Sequence, residues 1–304
     1  MRLARLSDVT AVAFAATGSL AGILAEAACT PIEYVPYNVS APGVYCLARD
    51  FSTPLQASAF ITIEADNVTI DLAGHTLDGH LVPVYGVYGF NRTNVTVRNG
   101  RLLRFGTGVF LGATTPSDGA LGGHRIEDLD LRGNEGTGIN VWGRGSLVRG
   151  NRIADTGTGL EYNTAEGIRV AGPAVRVLDN EVIRTRGYAA GIRVLNAPGS
   201  VVGGNRITDT VGISSTESVA LAVSNSGGTL VHGNHVSNIT SYLNTTGVSV
   251  VSSNYVTVRD NSFSFLERGI VFGSGAGNGK YMGNLTSGVT VPYSGGNAAG
   301  ATNY

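Results

Sequence analysis

A short phrase recurs along this chain: glycine, an aliphatic residue, any residue, then a small or apolar one. It begins at Gly86, Gly108, Gly138, Gly167, Gly191, Gly247 and Gly269, with a degenerate copy at Ala220, and successive copies start 22 to 30 residues apart. A polar turn residue follows each of the first seven, at Asn99, Asp128, Asn151, Asn180, Asn205, Asn234 and Asn261. From phrase to turn residue the distance is 13 or 14 residues, except for 20 between Gly108 and Asp128; from turn residue to next phrase it varies from 8 to 16. One half of each unit is fixed and the other absorbs insertions. That is the behaviour of a solenoid coil, in which strand–turn–strand geometry is constrained and one connection is free to loop out.

The fixed half reads as a strand. In Gly167-Ile168-Arg169-Val170 the period of two turns Ile168 and Val170 to one side and Arg169 to the other. Asparagine suits the turns because it tolerates the left-handed backbone region, and stacked asparagines can hydrogen-bond along the coil axis. Composition agrees: 44 glycines and 42% hydrophobic residues, but only 14% charged, against roughly 25% charged in an ordinary globular chain. Long helical bundles and a disordered Gly-rich chain are excluded. A left-handed solenoid would need a hexapeptide rhythm and a leucine-rich repeat a Leu framework, and neither is present. The expected fold is all-β: a single-stranded right-handed parallel β-helix of roughly 8–9 coils about 4.8 Å apart.

The chain resembles the bacterial right-handed parallel β-helix repeat proteins of the pectate-lyase-like superfamily, which includes carbohydrate-binding and sugar-hydrolysing members. The resemblance rests on Ile61-Thr62-Ile63, on Asn67-Val68-Thr69-Ile70-Asp71-Leu72-Ala73-Gly74-His75-Thr76-Leu77, on Asn94-Val95-Thr96-Val97-Arg98-Asn99-Gly100 and on the coils that follow. It divides the chain into an N-terminal cap at 29–60, a β-helix at 61–275 and a C-terminal cap at 276–304. It implies a polysaccharide-binding or polysaccharide-cleaving protein. The paired aspartates of polygalacturonases and the Asp-Pro-His motif of alginate epimerases are missing, so no catalytic residue carries over by motif.

The outward positions of the repeated strand form one file: Tyr88, Phe110, Asn140, Arg169, Arg193, Ala222, Ser249 and Val271. Two residues further on, Phe90, Trp142, Leu195 and Val251 belong to a parallel file. Aromatic rings suit sugar faces and paired guanidiniums suit carboxylates or sulfates. Substrate binding is therefore assigned to Tyr88, Phe110, Asn140, Trp142, Arg169, Tyr188 and Arg193. The alternative is that Arg169 and Arg193 are solvated and held by Glu166, Glu161 or Glu181. The variable connections Arg152–Glu166 and Arg206–Val219 lead into this face and bring Asp155, Glu161, Tyr162, Glu166, Asp209 and Glu217. Candidate catalytic groups are Arg169, Arg193, Glu161 and Glu166. Calcium, if bound, would be held by Asp155, Glu161 and Glu166; no other cofactor is expected. His75 and His80 read as capping residues of an early coil, and His232 with His235 is too small a set for a zinc centre.

Residues 1–28 read as a secretory signal: Arg2 and Arg5, the largely apolar Val9–Leu24, then Ala25-Glu26-Ala27. A capping helix is the alternative. Cys29 and Cys46, the only two cysteines, suit one disulfide in an oxidising compartment, periplasmic or extracellular. A net charge of −1 gives no general nucleic-acid footprint, and no stretch beyond the leader is apolar enough to span a membrane. The function expected is binding, alone or with lyase or hydrolase cleavage, of an acidic polysaccharide. The alternatives are a non-catalytic carbohydrate-binding module and an envelope or filament rod. A capped monomer is expected, with end-to-end stacking as the risk of open β-helix ends.

Overall fold

The computed structural model describes residues 29–54, 57–114, 121–157, 165–187, 190–212, 218–240 and 244–299. They form 28 strands, all paired in parallel, wound into a solenoid of about nine turns with no helix among the described residues. Each strand pairs with the equivalent strand one coil away, so Thr137–Trp142 lies between Thr96–Gly112 and Glu166–Ala171. Three files of strands result. The first contains the repeated phrase. The second runs through Leu147–Arg149 and Arg176–Leu178, and the third through Arg152–Thr156 and Glu181–Gly187. Strand pairing extends from Thr30–Ile32 to Asn297–Ala298, so segments 29–60 and 276–304 both contribute strands to these files.

The inward phase follows the alternation. Ile139, Val141, Ile168, Val170, Ile192 and Val194 are all fully buried, in one apolar column that runs the length of the solenoid. The glycine that opens each phrase has a steric cause. A Cβ on Gly138 would lie 2.6 Å from the carbonyl oxygen of Gly167, and one on Gly167 the same distance from that of Gly191. Successive coils approach too closely there for a side chain, the degenerate copy at Ala220 excepted.

The turn residues sit one position away from the place expected. Asn99 and Asp128 do adopt the left-handed conformation, but in later coils that conformation falls to Gly150, Asp179, Gly204, Gly233, Asp260 and Gly283. The asparagine after each turns inward instead. Asn151, Asn180, Asn205, Asn234, Asn261 and Asn284 form a buried ladder: each of the first five donates from its backbone N–H and its Nδ2 to Oδ1 of the next, at 2.9–3.0 Å. Each Nδ2 also donates to a backbone carbonyl of the preceding coil, such as Val177 O from Asn205 at 2.9 Å. Amides in a closed core require this satisfaction.

Cys29 and Cys46 are bonded, with Cα atoms 5.7 Å apart. Residues 1–28, expected from sequence to be a secretory signal or a capping helix, lie outside the described residues.

Candidate functional site: an aromatic and guanidinium face

The first strand file has an outward column in register: Thr62, Tyr88, Phe110, Asn140, Arg169, Arg193, Ala222, Ser249 and Val271. Parallel in-register stacking sets neighbouring side chains about 4.8 Å apart, and the aromatic residues use that spacing. The Tyr88 and Phe110 rings stack with centroids 5.4 Å apart and planes within 8°. Phe110 reaches Trp142 at 6.4 Å, and the Arg169 guanidinium lies over the Trp142 ring, 5.8 Å from its centre. Tyr85 joins this platform, 4.9 Å from Tyr88 and 5.2 Å from Phe110. The sequence reading missed it because Tyr85 precedes the glycine of its phrase, outside the alternating positions.

Beyond Asn140 the column becomes cationic. Glu166, 6% exposed, opens the strand that bears Arg169. Its Oε1 accepts from Nε of Arg193 on the next coil, and its Oε2 lies 3.4 Å from Nη1 of Arg169. Of the three carboxylates weighed as partners of these arginines, Glu166 fills the role. Glu181 pairs with Arg152 at 3.0 Å on the third file, and Glu161 lies outside the described residues, as does Tyr188. Three polar atoms of this face, Asn140 Oδ1, Trp142 Nε1 and Arg169 Nε, are covered and have no hydrogen-bond partner among the described residues.

The other two files handle charge differently. On the second, Asp71, Arg98, Glu127 and Arg149 succeed one another in register, with contacts of 3.0 Å for Arg98–Asp71 and 2.9 Å for Arg149–Glu127. On the third the order is Arg101, Asp130, Arg152, Glu181 and Arg206. Sign alternates at every step, as in-register neighbours require. Arg169 opposite Arg193 is the one like-charged register pair among the described strands.

The structure does not bring Asp155 and Glu166 to a common ligand. Asp155 is gripped by Arg184, whose Nη2 is 2.7 Å from Oδ2, and this hydrogen bond holds the Asp155 carboxyl below the usual carboxylate range. Among the described residues no group of three or more His, Cys, Asp or Glu side chains is placed to hold a metal ion. His75 pairs with Asp50 at 3.1 Å, and His80 Nε2 lies 2.7 Å from Ser52 Oγ. The histidine that sequence reasoning passed over, His124, is 1% exposed; burial pushes its pKa down to about 4, and its Nδ1 accepts from the Val95 N–H at 3.4 Å.

The family described as right-handed beta helix region matches residues 115–301. The chain belongs to that family. A search of curated proteins finds no match. Among solved structures this β-helix is similar to tailspike protein 2 of the Escherichia coli O157:H7 bacteriophage CAB120, at 10% identity and a TM-score of 0.56, over 80% of this chain and 34% of that one. It is also similar to the tailspike of E. coli bacteriophage HK620 in complex with a pentasaccharide, at 13% identity and a TM-score of 0.55, over 85% of this chain and 58% of that one. The β-helix thus spans between a third and three-fifths of these tailspikes. At such identities the likeness establishes the fold.

Proposed function

We propose that the protein binds an acidic polysaccharide along the Tyr88–Phe110–Trp142–Arg169–Arg193 face, in the periplasm or outside the cell. The observation that carries this reading is the single break in charge alternation, Arg169 opposite Arg193. Glu166 answers one of the two guanidinium charges stacked in register, and a ligand carboxylate would answer the other. That the pair adjoins a ring platform supports a sugar ligand, since aromatic faces pack against the apolar side of sugar rings. The tailspike that resembles this chain is described in complex with a pentasaccharide, which supports a glycan on this scaffold. The bonded Cys29 and Cys46 support an oxidising compartment. The guanidiniums do what calcium would do for a carboxylate, so the reading needs no cofactor.

Cleavage by a lyase or hydrolase is the second reading. It needs an acid or base at the face, and both oxygens of Glu166 are engaged by guanidiniums. Arginine is a poor base because its pKa exceeds about 12. Binding is therefore placed ahead of catalysis.

A panel of pectate, alginate and glycosaminoglycans tests this, with binding measured by titration and cleavage by ultraviolet absorbance of unsaturated products and by reducing ends. The expected result is binding without product. Arg169→Gln plus Arg193→Gln should weaken it at least about tenfold, the size of one lost charge-assisted contact. A triple variant adding Glu166→Gln removes the unpaired buried carboxylate as a cause of misfolding. Unchanged affinity in a folded triple variant, or no binding to any glycan, would overturn the proposal; concentration-dependent filaments together with no binding would favour the structural rod.

A further inference from the structure

Resting on that reading, the face also limits how densely charged its ligand can be. The cluster sets two guanidiniums against one carboxylate, so it presents one net positive charge. Glu166 is held at both oxygens and nearly buried, hence part of the site rather than a group that moves aside. The outward column has no other cation: toward the N-terminus it reads Asn140, Phe110 and Tyr88, and toward the C-terminus Ala222 and Ser249.

A glycan laid along the column meets these stations in turn. Trp142, Phe110 and Tyr88 are uncharged, so they offer apolar surface to the C–H groups of a sugar and no countercharge to an anion. A polymer with a carboxylate on every residue would press anions onto Trp142, Phe110 and Tyr88 while its charge was answered at one place only. A chain whose anionic residue is flanked by uncharged residues places its carboxylate at Arg169 and Arg193 and its uncharged rings on the platform. We infer that the ligand is a glycan of sparse charge, with one anionic residue next to uncharged ones, and that Glu166 is the residue that sets this selectivity by cancelling half of the guanidinium charge.

A glycan array sorted by charge density, followed by calorimetric titration of the full chain, tests the inference. The best array ligands should have anionic groups on alternate residues or fewer. In titration, a hexasaccharide alternating uronate with N-acetylhexosamine should bind at least about tenfold tighter than hexagalacturonate or chitohexaose. Glu166→Gln doubles the net charge of the cluster and should narrow the gap to hexagalacturonate about threefold to tenfold. Array ligands led by glycans charged on every residue, or by uncharged ones, would overturn the inference and leave glycan binding standing. An unchanged gap in a Glu166→Gln protein of normal thermal midpoint would overturn the role of Glu166. A blank array would instead refute the underlying proposal that this face holds a glycan.

Discussion

Asn205→Ala removes one rung from the middle of the buried ladder. In the native protein its Oδ1 accepts from both the backbone N–H and the Nδ2 of Asn180, each at 3.0 Å, and its Nδ2 donates to Val177 O and to Asn234 Oδ1, each at 2.9 Å. The substitution strands two Asn180 donors in a site where Asn180 itself is 1% exposed. Asn234 Oδ1 keeps the bond from the backbone N–H of residue 205, so the damage falls mainly on the Asn180 side. Each buried donor left without a partner costs about 1–3 kcal/mol, which puts the total at roughly 2–6 kcal/mol. Urea unfolding followed by circular dichroism measures it, with an unchanged denaturant slope as the sign that the folded and unfolded ensembles are otherwise alike. A loss below about 1 kcal/mol would refute the view that the ladder is a stabilising, fully satisfied network.

Three further outcomes are expected. Gly167→Ala drives a methyl group to 2.6 Å from the Gly191 carbonyl and 2.5 Å from Val182, and should cost at least about 2 kcal/mol by thermal or urea unfolding. His124 has its folded pKa lowered to about 4 from 6.5, so the unfolded chain takes up its proton first. Stability should therefore be complete above pH about 6.5 and fall as pH drops toward 4, by up to about 3 kcal/mol, and His124→Gln should flatten that dependence. A thiol assay on denatured, unreduced protein should find no free thiol, and Cys29→Ser plus Cys46→Ser, opening a loop of sequence separation 17, should cost about 3 kcal/mol.

The strand phase was legible because inward and outward residues alternate with the period of the pleat, and Ile168 and Arg169 show it within one phrase. The corners were legible only to within one residue. A coil bends at a left-handed residue, and the residue after it is the buried asparagine; Asp179-Asn180 and Asp260-Asn261 both read as turn pairs, and sequence alone does not say which member faces in. Gly204 follows Asp179 in the stack because a Cβ there would lie 2.3 Å from the Asp179 carboxylate, a constraint that spans coils and so is silent in local pattern. The same distance hid the alternating charges. Arg152 and Glu181 are 29 residues apart in sequence, and only the register makes them neighbours. Of the candidate site, the file from Tyr88 to Arg193 followed from the repeat, while Tyr85 and the double grip of Glu166 on Arg169 and Arg193 needed the fold.

Trp142 is the only tryptophan in the chain and stands at the junction of the ring platform and the guanidinium pair, under Arg169. Its fluorescence is therefore a direct probe of the proposed face. Titration with a bound acidic glycan should change its intensity or emission maximum in a saturable way, with a midpoint equal to the calorimetric Kd, and should shield it from a soluble quencher. The change should vanish in the Arg169→Gln, Arg193→Gln, Glu166→Gln variant. Glycan binding detected by calorimetry with no change in Trp142 emission or quenching would place the ligand elsewhere on the solenoid and contradict the account.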